Sequence, residues 1–126
     1  KQTEGDPQIK NRIRAMARKL ARGRQLQAVP RATVIITNPT HLAIALEYDA
    51  NQMAAPRILA KGERLLAQKI REIAERHGIP VVTNPPLAWA IHGGAEVGDY
   101  IPAHLYAAVA EVLAFVFSLK NRRRAS

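Results

Sequence analysis

Residues 33–46 read TVIITNPTHLAIAL, two apolar runs on either side of Asn38-Pro39-Thr40-His41. The first run, Thr33 to Thr37, is β-branched and predicts a strand; the second, His41 to Tyr48, alternates at its start and predicts another. Proline lacks an N–H to give to a sheet and holds the residue before it extended, so Asn-Pro interrupts what otherwise reads as one long strand. The stretch reads as two strands with a break between them. It also raises the question of whether that break is only a turn or a chemical site.

The rest of the chain reads as a compact α/β pattern. A helix is predicted from Pro7 to Arg22, capped by Asp6 and ended by Gly23, with Ile9, Ile13, Met16 and Leu20 forming a narrow apolar stripe on a basic rod. So thin a stripe suits a helix that projects from the body. Asp49 to Pro56 is a polar loop, and Arg57 to Ala60 a short strand. Glu63 to His77 is a helix with Leu66, Ile70, Ile73 and His77 on its inner face, Gly78 as cap and Pro80 as stop. Ile79 to Thr83 is another strand, Pro86 to His92 a short helix ended by Gly93-Gly94, and Pro102 to Lys120 a long helix. That last helix is apolar nearly all round, which predicts burial on more than one side, and its interior Glu111 argues against a membrane span. The order predicts an α/β (α+β) fold, a small mixed β-sheet of about four strands surrounded by about four helices. VIITNPT at 34–40 is echoed by PVVTNPP at 80–86, which predicts two strands leaving the sheet by the same turn chemistry.

Charge is distributed unevenly. The formal net charge is +9, yet residues 32–119 hold six basic against eight acidic residues. Residues 1–31 carry nine basic residues against Glu4 and Asp6, and Lys120 with Arg122 to Arg124 ends the chain. Three parts are expected: a basic linker helix over 1–29, a folded domain over 30–120 and a basic tail over 121–126. The chain opens at Lys1, and the expectation is a piece of something longer. No cysteine is present, which removes disulfides and thiolate chemistry.

Asn and Pro both favour turns, and Asn84-Pro85 is read as nothing more. Asn38-Pro39 also admits chemistry. Ordinary deamidation needs the next residue's backbone nitrogen to attack the Asn side chain, and proline has no N–H to give. The other route stays open: the Asn38 side-chain nitrogen attacks its own carbonyl carbon, closes a succinimide and expels the Pro39 nitrogen. A fold can accelerate this by holding a near-attack rotamer, donating to the oxyanion and accepting the amide proton. His41 is the neighbouring group suited to proton transfer, and Thr40 can hold the turn.

Asn-Pro-Thr-His between two strands resembles the signature of the FlhB/YscU family, the export-gate switch proteins of type III secretion. NPTHLAIALEYD, MAAPRILAKG, IREIAERHGIPVV, PPLAWAI and IPAHLYAAVAEVLAFVF follow that family in order over about residues 30–120. Residues 55–62 and 106–113 resemble the flagellar branch more than the injectisome branch. The resemblance implies a single self-cleavage between Asn38 and Pro39, with Asn38 as nucleophile, Pro39 as leaving side, and Thr40 and His41 in support. It implies two pieces held together by the sheet, and an export machine that changes from rod and hook subunits to filament subunits. Implied partners are other export-gate components, those export substrates and a hook-length control protein. The implied location is the cytoplasmic side of a bacterial inner membrane, following a membrane domain. Ala55, Pro56, Ala110 and Leu113 are expected to form a docking patch for export substrates if the loop adjoins the last helix; core packing is the competing role for Leu113.

A basic amphipathic helix can also lie on an anionic membrane surface, with a solvated linker as the alternative. Nucleic-acid binding is the rival class, because pI ≈ 10.7 is its footprint. The basic residues sit on the tails, however, and two Phe, three Tyr and one Trp make no stacking platform. His41, His77, His92 and His104 stand at no paired ligand spacing, so no metal is expected, and no cofactor either. A turnover protease is disfavoured, because self-cleavage consumes Asn38.

Overall fold

A computed structural model describes residues 5–125; of the expected basic ends over 1–29 and 121–126, residues 1–4 and Ser126 lie outside the described residues. Among the described residues there are four strands, β1 (Val34–Asn38), β2 (Leu42–Glu47), β3 (Arg57–Glu63) and β4 (Val81–Thr83). Four helices accompany them, α1 (Pro7–Ala28), α2 (Leu65–Arg76), α3 (Pro85–Gly94) and α4 (Tyr106–Ala125). Short 3-10 turns at Val29–Arg31 and Ala103–Leu105 lead into β1 and α4. The sheet order is β3-β2-β1-β4, antiparallel except for the parallel β1–β4 pair. This is the expected mixed α+β fold.

The pattern of large and small residues decides which helix covers which face. In β2, Leu42, Ile44 and Leu46 point to one side and Ala43 and Ala45 to the other. The large side joins Val34, Ile36 and Ile58 in a core closed by Leu87, Ala88 and Ile91 of α3 and by Val109, Val112, Leu113 and Val116 of α4. The alanine side joins Ile35, Leu59 and Ala60 against Ala67, Ile70 and Ala74 of α2. Small strand residues let α2 approach closely. Gly62 carries this furthest, since a Cβ there would meet Leu66 Cγ at 2.5 Å. A register shift between Ala45 and Leu46 lets Leu59 and Ala60 face α2 together. Both sheet faces are thus covered, and β1 and β2 are buried almost throughout.

Several elements depart from the sequence expectations. Helix α1 does not stop at Gly23 but runs to Ala28, because the Gln25 side-chain oxygen accepts the Lys61 N–H at 3.1 Å and ties the last turns to β3. Every residue from Pro7 to Arg24 is exposed, so the helix does project. β3 extends to Glu63. His77 is not on the inner face of α2; it is exposed at the C-cap, while Ala67 and Ala74 take the buried positions beside Ile70. Gly78 (φ +67) closes that helix in a Schellman motif, with Ile79 N–H on Ala74 O at 2.9 Å. Helix α3 begins at Pro85 and includes Gly93 and Gly94.

The last helix corrects an expectation of burial on several sides. Among the described residues, Val109, Val112, Leu113 and Val116 of α4 face the core together with Leu105 of the preceding turn, and Tyr106, Phe115 and Phe117 are exposed. The stretch Ala103–Arg123 is long and apolar enough to cross a membrane by length and composition, but its inner stripe is a core face of the domain.

Candidate functional site

The Asn38 corner is built by strand pairing. Val34 through Asn38 pairs antiparallel with Leu46 through Leu42, so Asn38 stands opposite Leu42 and only Pro39, Thr40 and His41 remain to reverse the chain. Pro39 occupies the first corner position and Thr40 the second, at φ +69, the backbone pattern of a type II turn. A β-branched residue there stores strain of about 1–3 kcal/mol. His41 N–H closes the turn by donating to Asn38 O at 3.0 Å. That oxygen belongs to the Asn38–Pro39 peptide bond, so a backbone donor sits where an oxyanion would form at that carbon.

The structure brings all four expected residues into one exposed corner, with Asn38 half-buried and Pro39, Thr40 and His41 exposed. His41 Nδ1 lies 3.1 Å from Pro39 O and 3.1 Å from Thr40 Oγ1, which fixes the ring over the peptide that follows the Asn38–Pro39 bond. A residue outside the motif also takes part. Arg64 N–H donates to His41 O at 3.1 Å from a backbone at φ +53. Thr40 and Arg64 are the two non-glycine residues at positive φ among the described residues, and His41 links them. No sequence signal marks Arg64, because its part is played by the backbone.

Asn84-Pro85 lies beside this corner on the neighbouring parallel strand, with Thr37 paired to Thr83. Asn84 N–H donates to Thr37 O at 2.9 Å and steadies the peptide just before Asn38. The expectation of a repeated turn is corrected here: Asn84 is the N-cap of α3, its Oδ1 accepting the Leu87 N–H at 3.3 Å, with Pro85 in the first helical turn. The same dipeptide therefore reverses the chain once and starts a helix once.

Ala55, Pro56, Ala110 and Leu113 come together as well. They line one cleft of about 350 Å³ with Tyr48, Ala54, Tyr106, Ala114 and Phe117. None of these lining residues is charged. Leu113 is almost fully buried, so it serves the core and the cleft floor at once. Tyr106, Ala114 and Phe117 were legible as the second apolar face of the last helix, at helical spacing from Ala110 and Leu113.

A family model described as "FlhB HrpN YscU SpaS Family" matches residues 1–116. The chain is 53% identical over 125 residues to the flagellar biosynthetic protein FlhB of Salmonella typhimurium, covering 99% of this chain and 33% of that protein. It is 54% identical over 125 residues to the FlhB of Escherichia coli, with the same coverage. The chain therefore spans about a third of the length of these relatives. Among solved structures, the cytoplasmic domain of FlhB from Shewanella putrefaciens superposes with a TM-score of 0.78 at 42% identity, over 82% of this chain and 80% of that one.

Proposed function

This chain belongs to the FlhB HrpN YscU SpaS family, and from that membership we propose that it is the cytoplasmic part of a flagellar type III export-gate protein that cuts its own backbone once, between Asn38 and Pro39. The observation that carries this reading is the His41 N–H on Asn38 O, a donor at the oxygen where charge would develop. Asn38 Nδ2 attacks the Asn38 carbonyl carbon, and the resulting oxyanion is held by that donor. The bond to the Pro39 nitrogen then breaks, and the proton lost from Nδ2 ends on that nitrogen as a secondary amine. One piece ends in a C-terminal succinimide at position 38, and the other begins at Pro39. No water is consumed in this step. The strained Thr40 backbone favours opening of the turn, and the Nδ1 contacts of His41 favour an orienting part for its ring.

The two pieces stay together because β1 lies between β2 and β4. Val34, Ile35 and Ile36 are fully buried, and each contributes about 1.5–3 kcal/mol by burial. Cleavage thus frees the corner without dissolving the sheet. That freedom is the device by which the export machine passes from rod and hook subunits to filament subunits. The uncharged cleft at Ala55, Pro56, Ala110 and Leu113 is the docking site for export substrates, and a hook-length control protein and other gate components are further partners. Helix α1 carries seven basic and no acidic residues, which suits the anionic cytoplasmic face of the inner membrane. Residues 1–29 then form the linker from a membrane domain, residues 30–120 the switch and residues 121–126 a basic tail.

Denaturing electrophoresis of the purified chain tests the reading. Two fragments are expected from the parent and one intact band from Asn38→Ala, with both proteins folded. An intact parent after prolonged incubation would leave the corner as a turn.

A further inference from the structure

We propose that the cleft between the end of α1 and strand β3 is a binding site for a phosphate monoester. The proposal is independent of backbone cleavage. Three arginines from separate elements, Arg24 of α1, Arg31 of the turn before β1 and Arg57 of β3, line one cavity of about 390 Å³. That volume lies within the range of small-ligand sites. Three like charges around one cleft repel one another, and among the described residues the acid paired with one of them compensates only in part: Glu47 Oε2 lies 3.9 Å from Arg31 Nε, beyond hydrogen-bond length.

Arg57 is preorganised. Its Nη2 donates to the Tyr100 hydroxyl at 3.0 Å, and its Cζ sits 4.7 Å from the centre of the Tyr100 ring. The three lining arginines carry three positive charges, and Glu47 beside Arg31 carries one negative charge. A phosphate monoester, at about −1.5 to −2 near neutral pH, matches the balance, and a carboxylate matches only half of it. Arginine forks suit phosphate oxygens in a way that a lysine point charge does not. Ile58, Leu59 and Val97 also line the cavity and supply apolar surface for the body that bears the phosphate.

The test is titration of the chain with sn-glycerol 3-phosphate at constant ionic strength, followed by calorimetry. Saturable binding is expected, weakened roughly five- to ten-fold by Arg57→Lys and by Arg31→Lys, each of which keeps the charge but loses the fork. Two sites are substituted so that a folding defect in one variant leaves the other readable. Arg12→Lys, on the exposed part of α1, is expected to bind as the parent does. No saturable binding, equal binding of succinate, or lysine variants at 31 and 57 that match the parent would overturn the assignment. Phosphatidylcholine vesicles containing phosphatidic acid identify the source of the phosphate. Their preferential binding over phosphatidylglycerol vesicles, reversed by sn-glycerol 3-phosphate, assigns a lipid headgroup; binding of sn-glycerol 3-phosphate with no vesicle preference assigns a soluble phosphate.

Discussion

Replacing Asn84 by Ala separates two Asn-Pro dipeptides that look alike in sequence. At position 84 the side chain accepts the Leu87 N–H at 3.3 Å, the long end of a hydrogen bond, so losing this cap costs about 1 kcal/mol. With an unfolding entropy of about 2.1 cal/mol/K per residue over 126 residues, the melting temperature falls by about 4 °C. Asn84→Ser keeps an acceptor and is expected to lose less than half of that. Cleavage at Asn38 is expected to continue in both variants, because Asn84 reaches β1 through its backbone N–H, which alanine and serine retain. Differential scanning calorimetry and denaturing electrophoresis on the same samples give both readouts. An Asn84→Ala chain that melts with the parent would refute the capping role. One that is folded but uncleaved would refute the distinction between the two sites.

Three further outcomes follow from packing and charge. Gly62→Ala places a methyl against Leu66 beneath α2, and urea unfolding should show a loss of about 1–3 kcal/mol. Lys61→Met removes an ammonium that donates to His92 O and Ala95 O at 2.9 Å each and lies 3.3 Å from Glu96; with the end of α3 left uncapped, urea unfolding should show a loss of about 2 kcal/mol of stability. Ala110→Glu is exposed and should leave stability within about 0.5 kcal/mol. It introduces a charge into the uncharged cleft, so calorimetric titration with a purified rod or hook subunit should show affinity at least about ten-fold weaker. Unchanged affinity would remove the cleft from substrate docking.

The sheet was legible because its strands carry their own period. The alternation at the start of His41 to Tyr48 marks the strand, and Asn38-Pro39 marks the break between β1 and β2; which face meets which helix emerges only from the packing. Gly78 marked the end of α2 correctly, because φ +67 is a demand that glycine meets cheaply. Gly23 misled, since glycine in a helix costs only about 1 kcal/mol and the tie from Gln25 to Lys61 keeps the last turns in place. Helix α4 misled by composition: alanine-rich apolar surface reads as core, yet Tyr106, Ala110, Ala114 and Phe117 wall an open cleft. At the corner, the four side chains were legible as a motif. The parts played by Arg64 N–H and Asn84 N–H were not, because a backbone donor leaves no trace in residue type.

Cyclisation at Asn38 leaves a mass signature that intact-mass spectrometry of freshly purified, denatured protein reads. Cyclisation predicts two fragments divided between Asn38 and Pro39, the first initially one water lighter than hydrolysis would give and gaining that water on standing at mildly alkaline pH. A first fragment that carries the full mass of a hydrolysed chain from the earliest time point, or a single undivided mass, would contradict it.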